Sequence, residues 1–129
     1  MREILFRAKR EFDGTVGEGL YDFQYGYYIR MSKSYHYLRT LDGKQIMINP
    51  DTLCEFTGLH DCKGTKIFEG DIIQLSNSTS PILFKEGGFG YIMWEDFISF
   101  SGHNHLERIL SRIQVIGNIY DNPELLEEK

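Results

Sequence analysis

Thr57-Gly58-Leu59-His60-Asp61-Cys62-Lys63-Gly64-Thr65-Lys66-Ile67-Phe68-Glu69-Gly70-Asp71-Ile72-Ile73-Gln74-Leu75 is the stretch on which the reading of this chain turns. Gly58, Gly64 and Gly70 punctuate it at near-regular spacing, each close to a turn-forming polar residue. Glycine reaches positive φ without a Cβ clash, so these positions suit tight reversals. Between them lie the short run Lys66-Ile67-Phe68 and the apolar run Ile72-Ile73-Gln74-Leu75. The pattern predicts a corner: a turn, a short strand, a sharp turn and a buried strand.

Upstream, the clearest periodicity runs from Tyr21 to Met31. Tyr21, Phe23, Tyr25, Tyr27, Ile29 and Met31 share one parity; Asp22, Gln24, Gly26, Tyr28 and Arg30 share the other. Period two predicts a long half-buried strand, apolar on its odd face and largely polar on its even face, with a bend at Gly26. Before it, Ile4, Phe6 and Ala8 alternate in an opening strand, and Asp13-Gly14 offers a turn followed by Gly17 and Gly19. After it, segments 34–41 and 44–49 flank Asp42-Gly43, a two-residue hairpin signal of type I′. Asn49-Pro50-Asp51-Thr52 reads as a helix start, with Asn49 as cap and Pro50 at the first helical position. Gly58 would end that helix after about two turns.

Downstream, residues 76–80 read as a polar loop. Segments 81–84 and 89–100 read as strands joined around Gly87-Gly88, the second with apolar residues on both faces. Gly102-His103-Asn104 marks a turn, and 105–110 is ambiguous between strand and helical turn. Residues 113–120 read as a strand with Gly117 at a bulge or close contact. Asn122-Pro123-Glu124 starts a short terminal helix.

Many short strands, glycine-rich turns and little helix predict an all-β fold with one or two short helices, built as a small barrel or sandwich. The turn-into-strand Glu69-Gly70-Asp71-Ile72-Ile73 is similar to an element of small SH3-like barrels. The 129 residues, with eight Tyr and nine Phe, suit one domain with a sizeable β core. Net charge is −5, but residues 1–44 carry +2 and residues 45–129 carry −7. Global attraction to nucleic acid is therefore not expected, while a local contact through the N-terminal third is compatible with the charge. Cys54 and Cys62 do not form a C-x-x-C pair and read as thiols in a reducing cytoplasm. With no charged-then-apolar leader and no long apolar run, neither a signal peptide nor a membrane span is expected.

Three ordered segments carry a family resemblance. The central one comprises Asn49-Pro50-Asp51-Thr52, Phe56-Thr57-Gly58-Leu59, Asp61, Gly64 and the run Lys66-Ile67-Phe68-Glu69-Gly70-Asp71-Ile72-Ile73. Arg2-Glu3-Ile4-Leu5-Phe6-Arg7-Ala8 opens the chain, and Val115-Ile116-Gly117-Asn118-Ile119-Tyr120-Asp121-Asn122-Pro123-Glu124-Leu125-Leu126 closes it. Together they resemble the YopX family of phage and prophage proteins. The resemblance implies a single YopX-like domain over residues 1–129, a mainly β fold and a phage or prophage origin. It brings no catalytic residue.

Several residue groups carry the side chains that chemistry needs. Asp61, Glu69 and Asp71 could gather carboxylates, but each lies beside a turn glycine, where such side chains bond backbone N–H groups. His103 and His105, with Cys54, Cys62, His60 or His36, match no zinc spacing. Nothing like a nucleophile elbow surrounds Cys62, and no phosphate-binding glycine loop is present. The chain is therefore expected to be a non-enzymatic protein-interaction or self-assembling module without cofactor, cytoplasmic in a bacterial host. It would form a homo-oligomer or bind a phage or host protein, with no membrane contact. The alternative is a nucleic-acid-binding module using Tyr28, Arg30, Lys33, Tyr35, Tyr37 and Arg39, whose rings would stack on bases while the cations follow phosphates.

Overall fold

The computed structural model of the chain describes residues 4–11, 22–30, 33, 35–101 and 105–127. The expected reversals at Asp13-Gly14 and Gly102-His103-Asn104, glycines 17 and 19, and the strand ends Tyr21 and Met31 lie outside the described residues. The chain divides into two compact units, residues 1–56 and 57–129.

In the first unit, β1 (Phe6–Lys9) pairs antiparallel with β2 (Phe23–Arg30), which pairs with β3 (His36–Arg39), which pairs with β4 (Gln45–Met47). The other side of β1 takes the start of β5 (Cys54–His60), with Arg7 opposite Cys54. Ala8, Leu38 and Ile48 form the core of this unit, joined by Phe6, Tyr28, Ile46 and Leu53.

That core sets the facing of β2. The even face is the inner one: Gly26 is buried and Tyr28 packs on the core. The odd face looks outward, with Tyr25 46% and Tyr27 52% exposed. Gly26 explains the sign. A Cβ there would run into the carbonyl oxygen of Arg39, closer than real Cβ atoms come. Only glycine lets β3 approach at this point, and the aromatic rings go to the roomier side.

Two local expectations also change. Asp42-Gly43 does not form a two-residue turn. Leu41, Asp42 and Gly43 make a three-residue loop closed by Thr40 N–H to Lys44 O at 2.8 Å, with Gly43 at φ +89. That is a type I turn followed by a left-handed residue, the next commonest hairpin connection. The helix expected from Asn49 is one 3-10 turn, Pro50–Thr52. Asn49 does cap it, accepting from Asp51 N–H at 3.0 Å. Thr52 then accepts from Lys9 N–H at 2.8 Å, and β5 begins two residues later. Pairing with β1 overrides the helical start, and Gly58 (φ +87) sits inside β5 rather than at a helix end.

In the second unit the corner forms as read. Residues 61–64 turn, β6 (Lys66–Phe68) follows, Glu69-Gly70 reverses the chain, and β7 (Asp71–Leu75) is buried. Gly64 and Gly70 both adopt positive φ, +82 and +86. β6 lies beside β5. β7 is the centre of a three-stranded sheet, between β12 (Ile113–Asn118) and β8 (Ser78–Pro81). The polar 76–80 segment is thus a tight hairpin with a strand on its far side, not a loop. The β12 ladder shifts register between Val115 and Gly117, the expected bulge.

A second meander holds β9 (Leu83–Lys85), β10 (Gly88–Met93) and β11 (Asp96–Ser99). The single strand expected over 89–100 is therefore two strands, reversed at Trp94-Glu95. Ile67, Ile73, Leu75, Ile82, Phe89, Tyr91, Phe100 and Ile113 make the core. The ambiguous segment is a short helix, α1 (Leu106–Leu110), which lays Leu106, Ile109 and Leu110 on that core at helical spacing. The terminal helix is a 3-10 turn, Pro123–Leu126, and Asn122 does not cap it with its side chain. Instead Asn122 Oδ1 accepts from Asn118 N–H at 3.3 Å.

The fold is mainly β, in antiparallel sheets, with one short α-helix among the described residues. Among the described residues no sheet closes into a barrel, so of the expected small barrel or sandwich the barrel, with its SH3-like element, does not form. Among them, too, no helix is long and apolar enough to cross a membrane.

Candidate functional site

The outward face of β2 is the most unusual surface of the first unit. The registers place Tyr27 opposite Arg39, Ile29 opposite Tyr37, Tyr37 opposite Met47 and Arg39 opposite Gln45. Side chains alternate across a strand. Phe23, Tyr25, Tyr27 and Ile29 of β2 therefore share one face with Tyr37, Arg39, Gln45 and Met47. None of these eight positions is acidic, in a chain of net charge −5. On the β1 side, Arg7 lies over the Phe23 ring at 4.3 Å and Lys9 Nζ at 5.1 Å. Cations against an aromatic face gain electrostatic attraction.

The residues expected for nucleic acid divide between two sides. Tyr37 and Arg39 are on this face. Tyr28 and Arg30 have the opposite parity. Tyr28 stacks on His36, with ring centroids 5.9 Å apart, and its hydroxyl lies 2.6 Å from His36 Nδ1. Lys33 and Tyr35 are exposed in the segment before β3. Tyr25, Tyr27 and Met47 also lie on this face, and period two alone does not single them out because it does not say which side of a strand meets water.

An open polar cleft of about 540 Å³ also lies in the first unit, lined by Arg10, Gln24, Thr40, Asp42, Lys44, Gln45 and Ile46. Its carboxylate is held locally. The Thr40 hydroxyl donates to Asp42 and, with Lys44 beside it, keeps the carboxyl below its usual range.

In the second unit the turn carboxylates bond backbone, as expected of Asp beside glycine. Asp61 accepts from Lys63 N–H and Thr65 N–H at 2.9 Å each, and from Val115 N–H at 2.8 Å. Burial pushes its carboxyl up, but these three donors outweigh burial and the net direction is down. Asp71 accepts from Phe68 N–H at 2.8 Å and locks the β6–β7 reversal. Among the described residues no three His, Cys, Asp or Glu side chains gather closely enough to hold a metal ion. Cys54 is buried with its thiol on the Thr52 carbonyl at 3.3 Å, and Cys62 is exposed.

One feature of this unit had no local signal. Trp94 and Glu95 join β10 to β11 with φ +51 and +69, and Trp94 is 85% exposed. Positive φ at both central residues defines a type I′ turn, which favours Asn-Gly. For L-residues with a full side chain, the left-handed region costs about 1 kcal/mol each.

The profile of the YopX protein family matches residues 5–127, nearly the whole chain. The chain belongs to the YopX family. A crystal structure of protein EF1440 from Enterococcus faecalis is similar in fold, with a TM-score of 0.53 and 21% identity. The match covers 98% of this chain and 100% of that one. At that identity the likeness extends to the fold alone. No curated protein matches the sequence. Family membership agrees with the resemblance of the opening, central and closing segments.

Proposed function

We propose that this YopX-family chain is a non-enzymatic association module of phage or prophage origin, acting in the bacterial cytoplasm, and that the outward β2–β4 face pairs with a second copy. The supporting observation is the outward orientation of Tyr25 and Tyr27 beside Tyr37, Arg39 and Met47. Tyrosine, methionine and arginine with few other charges is the composition of protein interfaces. A contiguous exposed apolar patch marks association more often than chance. The carboxylates Asp61 and Asp71 serve the fold, which leaves recognition rather than catalysis as the better reading.

Light scattering from low to high micromolar concentration tests this. The wild-type chain should exceed monomer mass, and Tyr25→Glu with Tyr27→Glu should return it to monomer with an unchanged circular dichroism spectrum. A wild-type monomer at high micromolar concentration overturns the reading.

A second reading rests on Arg39 and Lys9, which flank the same rings. Exposed aromatics with neighbouring cations suit single-stranded nucleic acid. Anisotropy of a labelled oligothymidine should then rise on adding the chain, weaken with salt and fall on Arg39→Ala. No salt-sensitive change across several oligonucleotides removes it.

A further inference from the structure

Trp94 is the sole tryptophan of the chain, and it stands at a hairpin tip in water. Burial, the usual reason for a tryptophan, does not apply. Nor does turn chemistry, since a reversal with two positive φ values calls for Asn-Gly. Strained, bulky residues cluster where a ligand is met.

The strands that carry the tip are held firmly. Phe89, Tyr91 and Phe100 root the hairpin in the core, and Phe100 N–H bonds Phe89 O at 2.9 Å. One residue before the end of β10, Ile92 N–H donates to Ser80 Oγ at 2.8 Å. A hairpin backbone already in place needs little ordering on binding, which helps an aromatic at its tip gain affinity.

Charge indicates what the tip would meet. Glu95 and Asp96 directly follow Trp94 and are exposed, and residues 57–129 together carry −5. Acidic neighbours repel phosphate backbones and anionic bilayers. They complement a protein surface with cations around an apolar hollow. We infer that Trp94 anchors a docking site for a partner protein whose apolar pocket is rimmed by lysine or arginine. This surface belongs to the second unit, and the inference does not depend on self-association through β2–β4.

The test places photoreactive p-benzoylphenylalanine at position 94 of the full chain, in cells that naturally carry the gene. Irradiation should give one discrete, nuclease-resistant and protease-sensitive adduct whose mass differs from that of two chains. The adduct should fall about tenfold when Glu95→Lys and Asp96→Lys are added. It should persist with Tyr25→Glu and Tyr27→Glu, which separates this site from the association face. Excess unlabelled wild-type chain should suppress the adduct. A chain carrying Trp94→Asn with Glu95→Gly should not, although its melting temperature rises by a few degrees as the turn relaxes. That combination separates docking from folding. The inference is overturned by no adduct, by an adduct of two copies or with nucleic acid, by indifference to charge reversal, or by equal competition from the Asn-Gly chain.

Discussion

Val115 donates its backbone N–H to Asp61 Oδ2 at 2.8 Å, joining residues 54 apart in sequence. Asp61 belongs to the turn that opens β6, and Val115 sits where the β12 ladder shifts register. A bulge interrupts the ladder, and here a turn carboxylate meets a donor at its edge. The same carboxylate closes its own turn through Lys63 and Thr65. One buried side chain thus couples a local reversal to a distant strand.

Asp61→Ala leaves all three N–H groups without their acceptor. Hydrogen bonds to charged groups contribute about 1.5–3 kcal/mol each, with strong sharing at one site. A loss of roughly 3 kcal/mol in urea unfolding is expected, and Asp61→Asn should lose less because one oxygen remains. A change below about 0.5 kcal/mol, typical of an uninvolved surface site, would deny Asp61 this role.

Acid should weaken the second unit through the same group. The folded carboxyl is held below its ordinary value because backbone donors outweigh burial. A depressed folded value means that the stabilisation is fully present above the unfolded value of about 3.9 and fades as pH falls through the folded one. Urea midpoints should be level near neutrality and decline below about pH 4, with a shallower decline in Asp61→Asn. An identical acid decline in both chains would assign the effect elsewhere.

Gly26→Ala should open the first unit. The added Cβ meets the Arg39 carbonyl, and overpacking costs about 1–3 kcal/mol. The adjacent Tyr27→Ala, on the outward side, should change the stability of the monomer, measured at low concentration, by less than about 0.5 kcal/mol. Unfolding curves of the two variants compare the faces directly, and the opposite ranking would place the buried side on the odd residues.

Tyr28 and His36 should behave as a pair. The hydroxyl contact at 2.6 Å and the stacked rings predict a coupling of roughly 1 kcal/mol in a cycle of Tyr28→Phe and His36→Ala. Additive effects would mean that the contact carries no energy of its own.

The legible parts of the fold were those with a local cause. Gly64 and Gly70 read as reversals because positive φ is a demand on one residue. Asn49 read as a cap because its side chain needs only the N–H two residues on. The helix expected after it did not form, since Thr52 bonds Lys9 and Cys54 pairs opposite Arg7, both far away in sequence. The Trp94-Glu95 reversal had no residue-level signal. It follows from the pairing of Tyr91 with Ile98, in a hairpin whose Tyr91 and Phe100 are buried together.

By itself, the sequence determined that the chain is built of short strands and where most of it turns, because glycine φ and period-two alternation act within a few bonds. It could not determine which side of β2 meets water. Alternation sets two sides apart without labelling either, and burial depends on both surfaces in contact. The label came from Ala8, Leu38 and Ile48 closing against the glycine side, and only the tertiary structure brings them together.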